Sequence, residues 1–152
     1  MDEPKYKIGK VAQVSGIPVA TLKNWERKER QLIKREDGEQ FTFRRAFQVV
    51  LTAALVRMGQ RLEVAANAAF QFTDIGNGAL AGLNSDRGPG EMFDEGWTVL
   101  CIYPGDLVEV KNVMPKDAAT LLFTPLGHNR ADAATLLNVT FLGERVREAL
   151  ES

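Results

Sequence analysis

The sequence predicts an α+β fold: a helical N-terminal part, a glycine-rich linker, and a small C-terminal module of β-sheet plus one helix. Three observations carry this expectation. Apolar residues recur at steps of three and four up to about residue 73, the spacing of helices with one buried face. Six of the 13 glycines then fall between Ile75 and Gly96, with little periodicity. Beyond them Trp97–Tyr103 is almost continuously apolar and Leu107–Val113 alternates, as a buried strand and its hairpin partner do.

Taken in order, Ile8–Val14 reads as a short helix with Ile8, Val11, Ala12 and Val14 inward. Ser15-Gly16-Ile17-Pro18 is a turn, since Gly16 suits the left-handed end of one helix and Pro18 the first turn of the next. A second helix follows over Val19–Lys28, with Leu22 and Trp25 turned to the core. Gln31–Arg35 and Gln40–Phe43 flank Asp37-Gly38, which reads as a β-hairpin. From about Arg44 to Gly59, the residues Phe43, Phe47, Val50, Leu51, Ala54, Leu55 and Met58 define one stripe of a third helix. A fourth, alanine-rich helix is expected over Leu62–Thr73, with Val64, Ala65, Ala68, Ala69 and Phe72 inward. After the linker and the Trp97–Val113 hairpin, Thr120–Thr124 and Thr135–Val139 read as two further strands. Phe141–Leu150 reads as a closing helix on Phe141, Leu142, Val146, Ala149 and Leu150. The units are therefore 5–73, a flexible linker 74–96, and 97–152.

Composition narrows the function. With 152 residues and 45% apolar content the chain suits one medium domain or two small ones. It has no apolar run near the roughly 20 residues of a membrane span. The first residues lack the basic-then-apolar order of a signal peptide, and a single cysteine, Cys101, forms no internal disulfide. A cytoplasmic protein without membrane attachment is expected. The net charge of −1 hides a division: residues 1–61 carry +6 and residues 62–152 carry −7. Only the first part is expected to face a polyanion.

Helix, tight glycine turn, helix is the arrangement that seats a second helix in the major groove of duplex DNA. The outward positions of Val19–Lys28 are Thr21, Lys23, Asn24, Arg27 and Lys28. Asn suits bidentate contact with adenine, and Lys suits guanine acceptors or phosphate. Asn24 is the expected base reader and Lys23 a base or phosphate contact. Lys34 and Arg35 on the hairpin, with Arg44 and Arg45 at the next helix start, are expected to clamp phosphates, and Lys7 and Lys10 to flank them. Trp25 is expected in the core.

Tyr6-Lys7-Ile8-Gly9, then Ser15-Gly16-Ile17, then Thr21-Leu22-Lys23-Asn24-Trp25-Glu26-Arg27, resembles the MerR-type DNA-binding domain in pattern and order over residues 5 to about 73. The resemblance implies a winged helix-turn-helix and a transcriptional regulator acting as a dimer. Lys23 stands where the family has Arg, and Asn24-Trp25 where it has two aromatics. Gln40 and Thr42 replace its wing Arg and Tyr. Similar Asn-Trp pairs occur in winged-helix domains of phage excisionases and small terminase subunits, so a DNA-architectural factor of that type is the alternative expectation.

The second half offers little chemistry. Cys101 lies within an apolar strand and reads as a buried small hydrophobe. His128 stands alone in a loop, and the Gly-x-Gly pairs neither follow strands nor open helices, so no phosphate loop is implied. No nucleophile–base pair or metal cluster presents itself. Neither enzyme activity nor a cofactor is expected. The C-terminal module is assigned self-association as a homodimer first and small-molecule sensing second.

Overall fold

The turn at Gly16 decides how the first two helices meet. Gly16 adopts φ 72°, and the Ile17 N–H reaches back to the Ala12 carbonyl at 3.1 Å, closing helix α1 (Ile8–Ser15) in a Schellman arrangement. Pro18 then serves as the N-cap of α2 (Val19–Trp25), its carbonyl accepting from Thr21 and Leu22. The computed structural model of the chain describes residues 3–27, 29–30, 32–35, 40–77, 87–125 and 130–152. Lys28, the Glu36–Glu39 turn and His128 lie outside the described residues.

Strand β1 (Lys5–Tyr6) pairs antiparallel with β2 (Phe41–Thr42). The expected hairpin partner of that second strand, Leu32–Arg35, has no strand among its described residues. Phe41 is fully buried, and its strand pairs with Lys5–Tyr6.

Helix α3 (Phe43–Arg57) starts at Thr42, whose hydroxyl accepts from the Arg45 N–H. A single buried stripe is not what forms: every residue from Arg45 to Leu55 is buried, so the helix is enclosed on all sides. Helix α4 (Leu62–Thr73) covers one flank, and α1, β2 and the last helix cover others. Met58 ends outside the stripe and is 47% exposed.

The second half is a three-stranded antiparallel sheet in the order β4-β3-β5, made of β3 (Trp97–Tyr103), β4 (Leu107–Val113) and β5 (Thr135–Asn138). Alternation gives β3 two working faces. Leu100 and Ile102 join the helical core, whereas Val99, Cys101 and Tyr103 form a smaller apolar cluster with Val113, Leu122 and Leu136. The residues expected as a strand at Thr120–Thr124 instead enter a short helix, α5 (Ala118–Leu121), introduced by a 3-10 turn at Pro115–Asp117. A run this short does not distinguish strand from helix by its pattern. The Tyr103 hydroxyl ties the end of α5 to the sheet by donating to the Leu122 carbonyl at 2.8 Å.

The closing helix, α6 (Val139–Glu151), is N-capped by Asn138, which accepts from the Phe141 N–H at 3.1 Å. Phe141 is not on its buried face: it is 54% exposed and lies edge-on to Trp97. A Cβ at Gly143 would come within 2.7 Å of the terminal methyl of Met92, the flexible end of a side chain that can shift.

The expected flexible linker over 74–96 does not hold for its described residues. Asn77 and Arg87 form an antiparallel bridge, and Phe93 is buried in the main core. Arg87, only 4% exposed, donates to six oxygens: Asn77 Oδ1 and the carbonyls of Gln71, Phe72, Ile75, Gly88 and Glu91. Three of those carbonyls belong to the end of α4 and the residues just after it, where a cation is favoured. Burial pulls the guanidinium down to about 10, partly offset by Glu91, so it stays charged at neutral pH. One apolar cluster then runs from Val11, Leu22 and Trp25 through α3 and α4 to Val146 and Leu150, so the two expected units share a core.

Candidate nucleic-acid interface

Helix α2 is short because its inward positions are few. Leu22 and Trp25 are buried, as expected of Trp25, and the chain then doubles back so that the Ile33 N–H reaches the Trp25 carbonyl at 3.4 Å. The helix ends at Trp25, three residues short of the expected boundary at Lys28. Its packing is chiefly against α1. Lys23 is exposed, and Thr21 and Asn24 are half-buried. Among the described residues, no hydrogen bond or ion pair engages the side chains of Thr21, Lys23 or Asn24. A cation in the last turn also suits the helix dipole, so Lys23 has a local reason to be there as well.

Arg27 is exposed beside Glu29, at 3.6 Å, in a pair open enough to contribute little to stability. Lys34 is exposed on the segment that returns past the end of α2. Lys7 is exposed at the N-cap of α1. Together with α2, these residues are the described cations of the expected interface that remain at the surface without a close structural partner in the core.

The other expected contacts are engaged elsewhere. Arg45, expected as a phosphate clamp, is 6% exposed and points inward: its guanidinium forms a two-pronged ion pair with Asp74 and donates to Gln48 Oε1. Burial alone would raise the Asp74 carboxyl, but hydrogen bonds from Arg45 and Thr73, with the charges of Arg45 and Arg44, outweigh it and hold the pKa below the ordinary value. Arg45 is thereby a tie between α3 and the end of α4, and the physical reason is the enclosure of α3. Arg35 is likewise committed, donating to Glu26 through Nε at 2.6 Å and Nη2 at 2.8 Å while stacking 4.4 Å above Phe41. Lys10 reaches the Ser152 carbonyl at 3.2 Å. Arg44 is exposed, but its stem lies against Gly90 and its charge is felt by Asp74.

Two cations that the motif reading passed over belong to the same neighbourhood. Arg57 Nη1 donates to the Ser15 carbonyl at 2.8 Å, which seats the end of α3 against the turn that launches α2. Arg61 is exposed just beyond. The spacing of Arg57 and Arg61 around Gly59 is the only sequence signal that could have drawn notice to them.

Cys101 is fully buried, and burial pushes its thiol up to about 11, so the thiolate is scarce at neutral pH. Among the described residues, no group of three or more His, Cys, Asp or Glu side chains is arranged to hold a metal ion, and no helix is long and apolar enough to cross a membrane. No protein-family model matches the chain, and no curated protein matches it.

Proposed function

We propose that the chain binds double-stranded DNA through α2 and acts as a sequence-specific transcriptional regulator of MerR-like type. The observation that carries this reading is the outward polar side of α2. Thr21, Lys23 and Asn24 project from a helix anchored by Leu22 and Trp25, beside a Schellman turn, with no described partner inside the chain. A major groove accepts such a helix, and the expected division of labour is Asn24 on a base edge, Lys23 on a base or phosphate, and Arg27 and Lys34 on the backbone. Lys7 and Arg44 extend the cationic surface, whereas Arg35 and Arg45 support it from within. One short reader gives modest discrimination, and pairing on two half-sites is the usual remedy, so a homodimer is part of the proposal.

Selection of bound duplexes from a random pool tests it. Enrichment of a two-fold symmetric site, with the preference at one position of each half lost in Asn24→Ala, supports the reading. Absence of any enrichment, with no salt-dependent retention of DNA, overturns it.

A further inference from the structure

Two side-chain contacts join the second half of the chain to the corner between α3 and α4. Gln60 Nε2 donates to Thr135 Oγ1 at 2.7 Å, at the first residue of β5. Arg61 Nη2 donates to Asp106 Oδ2 at 2.7 Å, at the tip of the β3–β4 turn. This second pair faces solvent, its side chains 73% and 53% exposed. The corner also adjoins the turn that launches α2, because Arg57 holds the Ser15 carbonyl and lies 3.3 Å from where a Cβ on Gly16 would be.

Asp106 has φ 61°, the one non-glycine residue with positive φ among the described residues. Asn occupies that region as readily as Asp, and Gly more so. The backbone of the turn therefore does not call for a carboxylate. What the carboxylate meets is Arg61.

We infer that Asp106 stands in for a DNA phosphate: it occupies Arg61 and thereby lowers the affinity of the α2 surface for duplex until a phosphate displaces it. The inference rests on the DNA-binding reading above and adds a built-in restraint to it. A carboxylate and a phosphate offer a guanidinium the same kind of charged acceptor. An ion pair this exposed is held weakly, so exchange for a phosphate is easy, and the dense charge of duplex DNA favours it at low salt. The restraint comes from the acidic half and acts on a cation of the basic half. It gives the sheet a direct line to DNA affinity, because Asp106 sits on the turn joining β3 to β4.

The test is a duplex titration over a range of salt with wild type, Asp106→Asn, Arg61→Ala and the double variant. Asn preserves the left-handed turn, and Asp106→Gly provides a second charge-free version that fits the same φ. Asp106→Asn and Asp106→Gly should each bind about two- to fivefold tighter at low salt, and Arg61→Ala should lower the salt slope by about one unit. The gain should vanish when Arg61 is Ala. A gain that persists without Arg61 reflects general charge removal and overturns the inference. Wild type and Asp106→Asn binding DNA equally also overturns it, while leaving the DNA-binding reading intact. If none of these proteins binds duplex at low salt, both fall.

Discussion

Arg45→Ala separates the buried tie from the surface clamp that the motif suggests. The side chain is 6% exposed, and its removal leaves Gln48 Oε1 without its donor and Asp74 without its principal cation. Breaking a buried pair from one side costs about 3–5 kcal/mol. Asp74 keeps the Thr73 hydroxyl, feels Arg44, and has 19% of its side chain in solvent, so the lower end applies, about 3 kcal/mol. At about 2–4 °C per kcal/mol for a chain of this size, the Tm should fall by about 6–12 °C. Urea titration supplies the free energy directly, and Arg45→Ala combined with Asp74→Ala should cost less than the two single changes added together. The slope of DNA affinity against salt should stay as in wild type. A variant that melts with wild type but loses one unit of that slope would refute the buried-tie assignment and restore Arg45 to the DNA surface.

The remaining predictions concern the interface and pH. Lys34→Ala should reduce the salt slope by about one unit and leave base preference unchanged, as anisotropy with specific and random duplexes will show. Asn24→Ala should cost roughly 1–3 kcal/mol on the selected site and little on random DNA, measured in the same way. Because the Asp74 pKa is lower folded than unfolded, its contribution to stability is complete above the ordinary carboxylate range and is lost as pH falls through the folded value. Acid titration of Asp74→Asn should therefore show a shallower loss of stability below about pH 4 than wild type shows.

Elements whose apolar spacing and boundaries agreed were legible in the residues alone. Helix α4 spans Leu62–Thr73, and β3 and β4 span Trp97–Tyr103 and Leu107–Val113, as read. Leu62 follows a turn at Gly59, and Gly105 with Asp106 marks the break between strands, so local chemistry and pattern point the same way. What could not be read depends on distant partners. Glycines at 76, 88, 90 and 96 suggest a loose linker, yet Arg87 gathers carbonyls from residues up to sixteen positions away. Periodicity marks one face of α3 but does not show that α6 closes another, with Arg147 stacked 4.0 Å over Phe43. The same limit applies to the site: Lys23 and Lys34 are exposed, and Thr21 and Asn24 half-buried, because neighbours in sequence set their faces. Arg35 and Arg45 were drawn inward by Glu26 and Asp74, which sequence proximity to other cations does not reveal.

Mapping backbone amide shifts while a short duplex is added tests the central claim most directly. Perturbations concentrated at Thr21, Lys23, Asn24, Arg27 and Lys34, fading as salt rises, are the predicted result. Shifts confined to the β3–β4–β5 sheet, or none at low salt, would contradict it.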